Sequence, residues 1–119
     1  MYTVEQIRAA VERPDEDEFV LTRPNPDKYS GTEYATVGWG DFYSTNGFIV
    51  GENGEFIDYE LVHRTGGEGE GEHASIVIKV GDQYFRKEGY YASHYGYDWD
   101  GDLEEVRPKV VERVEYFAD

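Results

Sequence analysis

The chain has no cysteine, one methionine and four prolines in 119 residues, and only eleven Lys and Arg against twenty-six Asp and Glu. Each shortage removes a class of chemistry. Without thiols there are no disulfide staples, no thiolate zinc sites and no cysteine nucleophiles. The formal net charge of −15 repels phosphate backbones, because nucleic-acid affinity comes largely from Lys and Arg displacing counterions. Direct nucleic-acid binding through a basic surface is not expected. No apolar run approaches the roughly 20 residues that a helix needs to cross a bilayer. Residues 1–14, MYTVEQIRAAVERP, form an amphipathic pattern rather than a basic region followed by an apolar one, so no secretory signal, no membrane and a cytoplasmic setting are expected.

What the chain has in quantity is aromatic: eleven Tyr, six Phe and two Trp. A core of a few bulky rings with β-branched aliphatics is implied, and 119 residues fit one domain spanning 1–119. The acidic excess favours a basic partner, or keeps a monomer or small homo-oligomer soluble at some cost in self-repulsion. It also matches salt adaptation, and composition does not separate these.

Thr3 stands as an N-cap with Gln6 three residues later, and Val4, Ile7, Ala10 and Val11 recur at helical spacing before Pro14; a helix over about 3–13 is expected. Asp15 to Glu18 follow as a solvated link. Phe19 to Thr22 read as a short strand running into the turn residues Arg23-Pro24-Asn25-Pro26-Asp27. Residues 28–47 read as one strand or two cut by glycines. Gly47 to Val50 and Phe56 to His63 flank Asn53-Gly54, a hairpin signal. Ala74, Ile76, Ile78 and Val80 alternate with Ser75, Val77 and Lys79, predicting a strand with one buried face. Gly81-Asp82 turns the chain into a strand over Gln83 to Tyr91, and a last strand is expected over Lys109 to Phe117. The fold class is α+β: an N-terminal helix packed on a mostly antiparallel meander with long Gly- and Tyr-rich loops.

Two segments stand apart. Gly66 to Glu72 alternates Gly with Glu68, Glu70 and Glu72, which has no apolar face and reads as a loop. Such a loop is either a solvated hairpin tip or a set of carboxylates for a cation or a basic side chain. His63 and His73 bracket it. In simple register their rings would lie within about 5 Å of each other, and with a carboxylate they could ligate a transition metal, although a one-residue slip would separate them.

The second segment runs from Tyr90 to Asp102 and interleaves Tyr90, Tyr91, Tyr95, Tyr97 and Trp99 with Ser, Gly, Asp98, Asp100 and Asp102. Tyr and Trp offer rigid contact area at small entropic cost while Ser and Gly adapt, a mixture that binding loops favour. About half of these rings are expected to cap the core instead. Bases could stack on them, but they sit among acids, which disfavours nucleic acid. Asp98, Asp100 and Asp102 do not make an EF-hand: counted from Asp98, that loop needs Gly sixth and Glu twelfth, and the chain has Gly101 fourth and Lys109 twelfth. Ser93 and His94 are adjacent and so point apart in a strand. No nucleophile elbow, P-loop, dinucleotide fingerprint or zincin motif occurs.

Gly66 to Glu72, Gly89 to Gly101, Glu105-Val106 with Pro108, and Val114 with Tyr116 together resemble a pattern of small actinobacteriophage proteins, with a GGEGxGE loop and a GYYxSxxGxDWDG segment. The resemblance covers roughly residues 60–117. It implies a phage setting and a host cytoplasm, and no assigned chemistry.

The favoured expectation is a non-enzymatic binding protein that engages a host or phage protein with a basic surface, without a cofactor, through Glu68, Glu70, Glu72 and the Tyr/Asp segment. Mimicry of DNA by carboxylates is its sharper form. The alternatives are a metal module or metal-dependent enzyme at His63 and His73, and a small-ligand binder lined by Tyr90, Tyr91, Tyr95 and Trp99.

Overall fold

A computed structural model of the chain describes residues 1–12, 22–42, 46–67, 71–92, 96–109, 114, 116 and 118. Helix α1, Val4–Val11, begins as its cap predicts: the Gln6 N–H donates to Thr3 Oγ1 at 3.1 Å, and the Thr3 N–H donates to Gln6 Oε1 at 2.8 Å. Two orphan N–H groups of the first turn are thereby satisfied. Ile7, Ala10 and Val11 are buried, the stripe that helical spacing put on one face.

Strands β1, Thr22–Pro24, and β2, Thr32–Tyr34, form a small antiparallel pair. Arg23 and Pro24, expected in a turn, are therefore in a strand. Proline is tolerated there because an edge strand leaves its missing donor unneeded. The turn falls later, where the Asp27 N–H donates to Asn25 Oδ1 at 3.0 Å and the Asn25 N–H to the Gly31 carbonyl at 2.9 Å. Of the strand expected over Phe19 to Thr22, residues 19–21 lie outside the described residues, as does the link from Asp15 to Glu18. One 3₁₀ turn, Trp39–Asp41, follows β2.

The large sheet runs β3 (Asn46–Val50), β4 (Phe56–Gly67), β5 (Gly71–Val80), β6 (Gln83–Ala92) and β7 (Gly96–Asp98) in that order, with β8 (Leu103–Val106) also against β6. Every pairing is antiparallel, so the meander is present. The inner face is built from Ile49, Ile57, Tyr59, Ile76, Ile78, Val80, Phe85 and Leu103, and α1 packs on it. Alternation in β5 is as expected, with Ala74, Ile76, Ile78 and Val80 all buried.

Two further contacts fix the helix. The buried Gln83 amide clamps the backbone of Tyr2: its Oε1 accepts the Tyr2 N–H at 2.7 Å and its Nε2 donates to the Tyr2 carbonyl at 2.8 Å. At the other end the Gly38 N–H donates to the Val11 carbonyl at 2.7 Å, satisfying a helix-end acceptor from a distant loop.

Strand β8 was not expected. Its Leu-Glu-Glu-Val sequence carries acids that are depleted in strands, and it is held through its ladder to Tyr84–Lys87. The last strand expected, Lys109 to Phe117, is not seen where the chain is described: Lys109, Val114 and Tyr116 belong to no strand and are exposed.

Candidate functional site

The Tyr-rich segment is partly sheet. Tyr90 and Tyr91 close β6, and Tyr97 and Asp98 lie in β7, with Tyr90 opposite Asp98 and Tyr91 opposite Tyr97. The Tyr90–Asp98 and Tyr91–Tyr97 pairs take opposite faces because neighbouring strand residues alternate. Tyr91 and Tyr97 meet with ring centroids 4.9 Å apart, and Tyr97 stacks on Trp99 at 5.4 Å with an interplanar angle of 5°. Tyr90 remains 46% exposed and Tyr97 38%.

Between β7 and β8 the ladder to β6 is interrupted but not lost. The Gly101 N–H donates to the Glu88 carbonyl at 3.1 Å, and the Glu88 N–H donates to the Asp102 carbonyl at 3.0 Å. A Cβ on Gly101 would lie 2.5 Å from the Glu88 carbonyl oxygen, so only glycine passes this close. The interruption aims the Gly101 carbonyl inward, where it accepts from the Lys87 ammonium at 2.5 Å. Lys87 is 4% exposed and its Nζ stands 5.5 Å from the centre of the Trp39 ring. Among the described residues it meets no carboxylate.

Asp98, Asp100, Asp102, Glu104 and Glu105 are all exposed along this edge. Glu104 pairs with Arg86, and that contact raises the arginine's affinity for its proton. Glu105 accepts from Gln83 at 3.2 Å. Charges along an edge strand also discourage strand addition by another chain.

On the inner face, Trp39, Phe42, Ile76, Tyr97 and Trp99 with Arg64 surround a cavity of about 220 Å³. Each wall has its own support. The Trp39 indole N–H donates to Glu12 Oε1 at 3.1 Å, and its ring stacks on Phe42 at 5.6 Å. Trp99 lies over Gly89, where a Cβ would come within 2.5 Å of its Cε3. Arg64 arrives through a bulge. Ile57, Tyr59 and Leu61 alternate inward, so strict alternation would carry His63 inward next. The register instead shifts between Leu61 and His63, so that Arg64 pairs with the buried Ile76. One inserted residue exchanges the faces of all that follow. The Arg64 guanidinium then lies 5.5 Å over Tyr97.

The overall β4–β5 register decides the histidines. His63 sits opposite Val77 and His73 opposite Tyr90, so the simple register that would have joined their rings is not adopted. His73 Nε2 lies 3.7 Å from Glu88 Oε1. No group of three His, Asp or Glu side chains suited to a metal occurs among the described residues. Glu68, Glu70 and Tyr95, with Ser93 and His94, lie outside the described residues; Glu72 is in β5, with its side chain outside them.

Sequence reading missed Trp39, Phe42 and Arg64. Trp39 and Phe42 fall in a glycine-cut stretch without periodicity, and Arg64 is placed by a bulge that leaves no mark in the sequence. Compared with protein-family models, with curated proteins and with solved structures, the chain finds no match in any of the three.

Proposed function

We propose that the protein is a non-enzymatic binding module that engages a host or phage protein with a basic surface through the β7–β8 edge. The observation that carries this reading is half-exposed Tyr90 set directly opposite Asp98, with the exposed carboxylates of Asp100 and Asp102 following along that edge. Rigid aromatic rings supply contact area on docking, while the carboxylates steer a cationic partner and set a strong salt dependence. Because the edge charges sit beside paired backbone, the surface is held in place before the partner arrives, which lowers the ordering cost of association. The actinobacteriophage resemblance supplies the setting, and the acidic excess favours a partner that otherwise holds nucleic acid.

The test is a pull-down from actinobacterial host lysate at low and at high salt, with the unaltered chain and with a variant carrying Asp98→Asn, Asp100→Asn and Asp102→Asn. A partner retained at low salt, released by added salt and lost by the variant is the expected result. Capture of nothing at low salt, or equal capture by the variant, overturns the reading.

A further inference from the structure

We propose that the cavity between Trp39 and Trp99 is a binding site for a small planar aromatic carboxylate, separate from the protein-binding edge. Its size is the first ground. An apolar cavity of about 150 Å³ holds a benzene molecule, so 220 Å³ takes one substituted ring and not a nucleotide. Its walls are the second. Four of its lining residues, Trp39, Phe42, Tyr97 and Trp99, are aromatic, and aromatic pairs favour the offset or tilted arrangements that a planar guest adopts among them.

Charge selects the guest further. Arg64 reaches the cavity over the Tyr97 ring, and Lys87 stands against the Trp39 ring. Neither has a carboxylate partner among the described residues, on a chain with twenty-six acids. Glu12, which approaches Trp39 from the helix, is engaged by the indole N–H. An aromatic cage without cations would suit an ammonium ligand; here two cations already occupy the ring faces and repel one. A carboxylate on the guest ring would instead meet the planar donor fork of Arg64, which matches it in two parallel hydrogen bonds. Lys87, with a hydrogen bond to Gly101, contributes through its charge.

The chain holds two tryptophans and both line this cavity, so the two indole N–H signals in a proton–nitrogen correlation spectrum report on it alone. Titration of the full chain with benzoate should move both signals along one saturable curve, with a Kd on the order of 1 mM or tighter. Benzamide should bind about tenfold more weakly, since it lacks the charge-assisted contact, and benzylamine should move neither signal. Arg64→Gln, a change at an exposed side chain, should weaken benzoate about tenfold and leave benzamide unaltered, with an unchanged melting temperature as the check on folding. Benzoate failing to move the indole signals overturns the site. Equal binding of benzamide or benzylamine, or no effect of Arg64→Gln on benzoate, overturns the ligand class.

Discussion

The Lys87 ammonium donates to the Gly101 carbonyl at 2.5 Å, filling the place where the edge of the sheet breaks step between β7 and β8. A buried lysine that meets no carboxylate among the described residues is costly, and this one is held by a carbonyl that the broken ladder turned inward. Lys87→Ala should destabilise by about 2–4 kcal/mol, since it leaves both a cavity and an unmet acceptor. Lys87→Met keeps most of the stem volume and should cost only about 1–2 kcal/mol, the share of the unmet carbonyl. Urea denaturation of the two variants separates packing from polar satisfaction; equal losses would refute that division.

Gly89 makes room for Trp99, with a Cβ there coming within 2.5 Å of the indole and 2.7 Å of the Asp98 carbonyl. Gly89→Ala should displace Trp99, shift tryptophan fluorescence to the red and destabilise by roughly 1–3 kcal/mol, in the range typical of overpacking. Unchanged fluorescence would show that the strand yields instead of the ring.

The Gln83 amide replaces a peptide group in holding Tyr2. Gln83→Ala leaves the Tyr2 N–H and carbonyl without it and should cost about 2–3 kcal/mol for two partly buried hydrogen bonds. Thr3→Ala, which removes only the cap, should cost about 1 kcal/mol. Thermal melts of both variants test the order of the effects.

Arg23 covers the fully buried Phe48, its guanidinium carbon 4.1 Å from the ring centroid, and donates to Glu33 Oε2 at 2.9 Å. That hydrogen bond, opposed by burial and aided by Asn25, holds the Glu33 carboxyl below its ordinary range. The folded value lies under the unfolded one, so the stabilisation is complete above the unfolded carboxylate range and is lost as pH falls through the folded value. Glu33→Gln should therefore cost about 1 kcal/mol at neutral pH. Its gap from the unaltered chain should narrow below about pH 4. A gap that stays constant down to acid unfolding would exclude the linkage.

Much of the fold was legible because its cause is local. The Thr3–Gln6 box, the Asn53-Gly54 hairpin and the β5 alternation from Ala74 to Val80 each state a backbone preference within a few residues. Leu103–Val106 was illegible because its pairing depends on an already formed β6. The rings of Tyr90, Tyr91 and Tyr97 were recognised as a group, yet their division between two faces follows from strand register.

By itself the amino-acid sequence determined the helix and its cap, the antiparallel character of the sheet, the acidic surplus and the absence of thiol chemistry, all set by composition or short-range spacing. Tertiary structure alone decided which distant side chains meet. A bulge after Leu61 put Arg64 on the face of the cavity, the β4–β5 register set His63 opposite Val77 and away from His73, and a break at Gly101 admitted Lys87. Trp39 and Trp99 came to share one cavity because helix α1 and strand β6 hold them there. Each outcome depends on register, a relation between strands that one strand's residues do not carry.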